Sequence, residues 1–208
     1  MTTTEIRPAA PLVGAASFLA LYLSVDFATS PLREGDMPLP GAPVPEVYEF
    51  LVNNSASSIV GGILQFASVI GFLLFFRRVS TKPLGAFAGW TAVVSMVLTA
   101  VLMIVLGSFA PSLSPELAST VRGISFTLGG VVHVVALGVF LLVEVARAGG
   151  WTKAVRVTAW VGAVPAMLSI SSTVWFMASI LLPLGRVLSM IALVTAGVSL
   201  LRGRGVRA

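Results

Sequence analysis

Residues 122–147 read RGISFTLGGVVHVVALGVFLLVEVAR, and this run decides the fold. Between its terminal arginines the only ionisable side chains are His133 and Glu144. An α-helix needs about 20 mostly apolar residues to cross the hydrocarbon of a bilayer, and this run supplies them. Arg122, His133 and Glu144 recur every eleven residues, almost three α-helical turns, so a regular helix carries all three on one stripe. Gly129 and Gly130 lie one turn before His133. The face they share with it is expected to look into a bundle, because small residues let helices approach closely in lipid.

The rest of the chain repeats this pattern. Hydrophobic residues make up 57% of 208 and charged residues 10%, and the mean hydropathy is +1.01. That places the chain in the membrane class. About six spans of roughly 20 residues use up nearly the whole length, so one all-α membrane bundle is expected and no separate soluble domain. The expected helices cover residues 11–29, 55–76, 83–106, 122–146, 154–173 and 182–201. A cleaved leader is the alternative for the first, with Ala28 as the small residue, but Asp26 just before it and the shortage of positive charge in the lead argue for a retained span. Residues 30–54 form an outer loop interrupted by Pro31, Pro38, Pro40, Pro43 and Pro45. Its last part, Pro45–Asn53, reads as a short amphipathic helix that lies on the bilayer or caps the bundle.

The net charge is +5. In this setting it bears on topology and anionic lipid rather than on nucleic acid, since no soluble basic module exists to carry such binding. With the N-terminus cytoplasmic, Arg7, Arg77, Arg78, Lys82, Arg147, Lys153, Arg156, Arg202, Arg204 and Arg207 fall inside. Only Arg33, Arg122 and Arg186 fall outside. That asymmetry supports an even number of spans, with the C-terminus cytoplasmic as well. Residues 71–77 with 81–90 and residues 138–142 with 152–160 echo each other at an offset of about 70 residues, a weak sign of a duplicated hairpin.

Chemistry-bearing residues are few. Cysteine is absent and there is one histidine, so no metal or cofactor is indicated. No spacing points to a catalytic constellation. His133 near mid-span reads either as a ligand contact or proton relay, or as a hydrogen bond packing two helices; Gln65, Ser95 and Thr99 are its expected neighbours. Asp26 and Arg186 sit about one turn inside the outer boundary on the first and last spans, where they would relieve each other's desolvation. Arg122 competes for Asp26. With Asn53, Asn54, Ser55, Ser57 and Ser58 these residues would line an outward-facing polar pocket; the alternative is separate snorkelling to the surface. Glu144 is expected to pair with Arg147 or Lys153 at the inner surface, where such a pair contributes little.

The chain resembles uncharacterised six-helix integral membrane proteins of actinobacterial type. The resemblance rests on the proline-interrupted outer loop, on VYEFLVNNSASSIVGGILQF at 47–66, on the basic loop before Trp160, and on LLPLG at 181–185 followed by an apolar run and terminal arginines. It implies the six-helix topology and a bacterial inner-membrane location, and no activity. The expected role is a non-enzymatic bundle that binds a ligand or serves as an accessory subunit of a membrane complex. A small transporter or proton-coupled carrier using His133, Asp26 and Arg186 is the alternative, and a membrane enzyme acting on lipid is a second. Membrane lipid, a membrane protein and a second copy of the chain are the partners such a bundle would take.

Overall fold

The computed structural model describes residues 9–204. Arg7 and Arg207 of the expected inside set therefore lie outside the described residues. Those described form seven α-helices and, among them, no strand. The helices are α1 (Ala10–Thr29), α2 (Val44–Asn53), α3 (Ser55–Val79), α4 (Pro83–Phe109), α5 (Pro115–Ala146), α6 (Lys153–Leu168) and α7 (Leu181–Leu201). Every one except α2 belongs to a helical stretch long and apolar enough to cross a membrane, so the chain is a multi-pass membrane protein.

The side chains are arranged as lipid solvent requires. On α4, Phe87, Trp90, Val94, Leu98, Val101 and Val105 are exposed in one stripe, with Phe87 70% exposed. Water would penalise that stripe, whereas hydrocarbon does not. The opposite face carries Gly85, Ala88, Gly89, Ala92, Ser95, Met96 and Thr99, all buried. Large residues thus face out and small residues face in. The six long helices close a ring in the order α1, α3, α4, α5, α6, α7 and back to α1. The α1–α3 approach is the tightest kind: a Cβ on Gly14 would lie 2.6 Å from the carbonyl oxygen of Gly71. Ser68 adds a hydrogen bond from its hydroxyl to the Phe18 carbonyl at 2.8 Å.

The two ends of the ring differ. One end holds the α3–α4 and α5–α6 connections and is filled by Phe72, Phe75, Phe76, Phe140 and Trp151; it is called the basic-loop end below. At the other end α2 caps the ring instead of lying free on a bilayer. Its Val47 and Leu51 pack with Leu106 of α4, with Ala110 just beyond it and with Ala118 of α5.

Helix α5 begins at Pro115, two turns before the expected start at residue 122. The Ser114 hydroxyl accepts from the Leu117 amide at 3.2 Å, Pro115 takes a first-turn position and Glu116 follows. These are ordinary start signals, hidden because the preceding stretch is less apolar. Two π-helical stretches, Thr127–Val132 and Leu142–Ala146, interrupt α5. A π turn accommodates an extra residue, so the eleven-residue spacing no longer places Arg122, His133 and Glu144 on one stripe. Between α6 and α7, residues 169–180 make two short 3₁₀ turns that leave Val174, Trp175 and Met177 exposed.

Candidate functional site

At the basic-loop end α5 finishes in a polar lock, beside a separate surface cavity of about 420 Å³ between α6 and α7 that Thr158, Thr195, Arg202 and Arg204 help to line. Glu144 is 1% exposed and does not reach Arg147 or Lys153 as expected. Its carboxylate accepts from the backbone amides of Thr81 at 3.1 Å and Lys82 at 2.9 Å, and from the Thr81 hydroxyl at 3.1 Å. Gly85 makes room for it, since a Cβ there would collide with the carboxylate. The last carbonyls of α5 are then satisfied by side chains. Lys82 Nζ donates to Val143 at 2.9 Å, Trp151 Nε1 to Glu144 at 2.9 Å and Arg156 Nε to Ala146 at 3.1 Å. Cations at a helix C-terminus also suit its dipole.

The α2 end is different. Two adjoining cavities open there. One, of about 240 Å³, is lined by Tyr22, Asp26, Arg33, Ser57, Ser58, Gln65 and Arg186, among others. The second, of about 250 Å³, is lined by Gln65, Thr99, Arg122, Ser125, Gly129 and Arg186, among others. Tyr22, Met37, Gln65, Met103 and Arg186 belong to both. An apolar groove of about 340 Å³ beneath residues 38–42 shares Arg122 and Phe126 with the second cavity.

Arg186 is the centre of this site. Pro183 in the first turn of α7 starts the helix without a lost hydrogen bond, and Arg186 follows on the next turn. Its guanidinium lies 5.0 Å from the centroid of the Tyr22 ring and donates to the carbonyl of Gly129. The π stretch of α5 releases that carbonyl. In a regular helix the His133 amide would bond Gly129; here it bonds Leu128 and Gly130 instead. Arg122 points its guanidinium at the Met37 sulfur, 3.0 Å away. Among the described residues neither arginine forms an ion pair with Asp26, although Asp26 and Arg186 line one cavity.

His133 is fully buried behind the cavity wall and lines neither cavity. Its Nδ1 donates to the Ala92 carbonyl at 2.8 Å, which ties α5 to α4. A carbonyl only accepts, so Nδ1 carries the proton and Nε2 is left as an acceptor without a partner. Phe18 packs edge-on at 6.1 Å. The expected neighbour Gln65 faces the cavities instead, and Thr99 bonds the carbonyls of Ser95 and Ser125.

Asn54 is buried and fastens the outer loop. It accepts from the Glu34 amide at 2.7 Å and donates to the carbonyls of Glu34 and Phe50 at 3.2 and 2.9 Å. Asn53 is exposed, and neither asparagine lines the cavities. Thus Asp26, Gln65, Arg122 and Arg186 come together, whereas His133, Asn53 and Asn54 stand apart. Tyr22 and Ser125 were missed by sequence reasoning. Tyr22 stands one turn before Asp26 on α1, and that spacing was the available signal; Ser125 had none. No protein-family model, curated protein or solved structure matches the chain.

Proposed function

We propose that the chain is a ligand-binding membrane protein whose site is the cavity system at the α2 end. The observation that carries this reading is the contrast in hydrogen bonding. Buried polar atoms are almost always paired. Yet the hydroxyl of Ser125 and Nε of Arg186, both in residues that line the cavities, have no partner. Polar groups at membrane depth are costly and collect at sites of function. The adjoining apolar groove gives room for a hydrocarbon chain, so the ligand is an amphiphile. The described basic residues also support an inner-membrane orientation with both termini cytoplasmic. Only Arg33, Arg122 and Arg186 belong to the α2 end, which then faces outward.

A carrier reading draws on the unpartnered Nε2 of His133. The site as folded favours binding over transport. The cavities stop at Gly130, and the aromatic cluster and the Glu144 lock fill the ring beyond His133.

Gly130 offers a clean test of binding. A Cβ there would meet only Leu182 and Phe126 at 3.7–3.8 Å, ordinary contact distances, so a side chain fits. Native mass spectrometry of the purified protein, equilibrated with monoolein, should show a bound adduct on the wild type that Gly130→Leu removes. Equal adducts on both proteins would refute the site.

A further inference from the structure

The class of ligand follows from the charges around the cavity, given the binding reading above. Arg122 and Arg186 both line the second cavity, and Arg33 and Asp26 line the first. Three guanidinium groups therefore face one carboxylate, and that carboxylate is solvent-exposed. A guanidinium stays charged in any protein environment and presents five donors in a planar fork. Arg186 uses one fork nitrogen on Gly129, while its Nε is buried without a partner. The Tyr22 ring lies against it, its centroid 5.0 Å from the guanidinium carbon. Arg122 contacts only a thioether, a weak acceptor for a full charge. Ser125, a residue of the same lining, keeps its buried hydroxyl without a partner. A cation at membrane depth without a counter-charge is a costly arrangement for a bundle to keep empty. A neutral headgroup would leave that cost in place, and a cationic one would add to it.

We propose that the cavity is an anion site, in which Arg122 and Arg186 hold the carboxylate or phosphate headgroup of an amphiphile. The apolar groove that shares Arg122 and Phe126 with the cavity takes the hydrocarbon chain. Fork-shaped donors suit both oxyanions, because each presents two oxygens to one guanidinium.

Amphiphiles with one acyl chain and different headgroups isolate the charge. Monoolein, oleate and oleoyl lysophosphatidic acid are titrated against the purified full chain in uncharged detergent, with occupancy read by native mass spectrometry. Wild type should bind the two anions at least about tenfold more tightly than monoolein, the equivalent of one charge-assisted hydrogen bond. Arg122→Gln should lose about tenfold of that preference. Because Arg186 also holds α5, Gly130→Glu serves as the second variant. It introduces a carboxylate where the backbone has room and should abolish the preference while leaving thermal unfolding close to wild type. Competition with inorganic phosphate separates the two sources of the anion. Displacement of oleate assigns the site to free oxyanions as well, and no displacement assigns it to lipid headgroups. A preference under twofold in the wild type, or one that survives in both variants, overturns the anion site while leaving amphiphile binding intact. Failure of all three amphiphiles to bind removes the binding reading itself.

Discussion

The two ends of α5 handle polar groups in opposite ways. At its C-terminus the Glu144 carboxylate accepts from the amides of Thr81 and Lys82, and three backbone carbonyls accept from Lys82, Trp151 and Arg156. Towards its N-terminus, Arg122 faces a thioether, Ser125 has no partner and Arg186 is half-satisfied. The same chemistry is used for closure at one end and left available at the other. All four side-chain atoms that are buried and unpartnered among the described residues, in Ser125, His133, Ser172 and Arg186, lie at mid-span or towards the α2 end. The lock fixes one end of α5, while polar groups near the other end are left without partners.

If that contrast is sound, substitutions at the closed end cost stability and those at the open end do not. The largest effect should come from Glu144→Ala, which strands two amides and two hydroxyls that reach its carboxylate. A loss of about 3 kcal/mol is expected in equilibrium unfolding in detergent. A loss under about 1 kcal/mol would mean that water already reaches the lock. Next is Asn54→Ala, which removes two hydrogen bonds to Glu34 in the outer loop and one to Phe50 of α2. It should lower stability by about 2 kcal/mol and open residues 33–43 to limited proteolysis. His133→Leu replaces one interhelical hydrogen bond by an apolar group of similar size and should cost about 1 kcal/mol. Retention of monoolein binding in that variant would separate His133 from the ligand site, and its loss would return His133 to the site. The smallest effect belongs to Ser125→Ala, with a change in unfolding free energy of about zero, because the hydroxyl it removes has no partner.

The architecture was largely legible because hydrophobic length and breaker residues report it directly. The apolar runs, Pro83, Gly149-Gly150 and the basic turns mark where helices must begin and end. Less visible were features that depend on which carbonyl bonds which amide. The π stretches of α5 leave no period in an apolar run, so the apparent stripe of Arg122, His133 and Glu144 was an artefact of assuming regular turns. Glu144 looked interfacial because charged residues near span ends usually are; the Ser80-Thr81-Lys82 loop that receives it lies about 60 residues away in sequence. For the candidate site, depth alone was informative. It grouped Asp26, Arg122 and Arg186, which line the cavities, but set Gln65, which lines them too, beside His133. It failed for His133, whose depth matches Gln65 but whose ring turns to α4. Depth could not separate the two, because rotation about the helix axis is set by packing that no single span encodes. The same limit applies to Asn54, which reads as a pocket residue and serves as a loop fastener.

Accessibility of the cavity to water-borne reagents is the decisive measurement, and the absence of cysteine from the chain makes it clean. Single cysteines are introduced at Gln65 and Met103, half-buried residues that line both cavities, and at Ser189, fully buried where its hydroxyl bonds the Gly162 carbonyl on α6. Each is exposed to a small charged thiosulfonate in intact membranes. Modification of Gln65→Cys and Met103→Cys, slowed by added oleate, with Ser189→Cys inert, is the predicted result. Protection of Gln65→Cys and Met103→Cys as complete as that of Ser189→Cys would show that the α2 end is closed and contradict the ligand site.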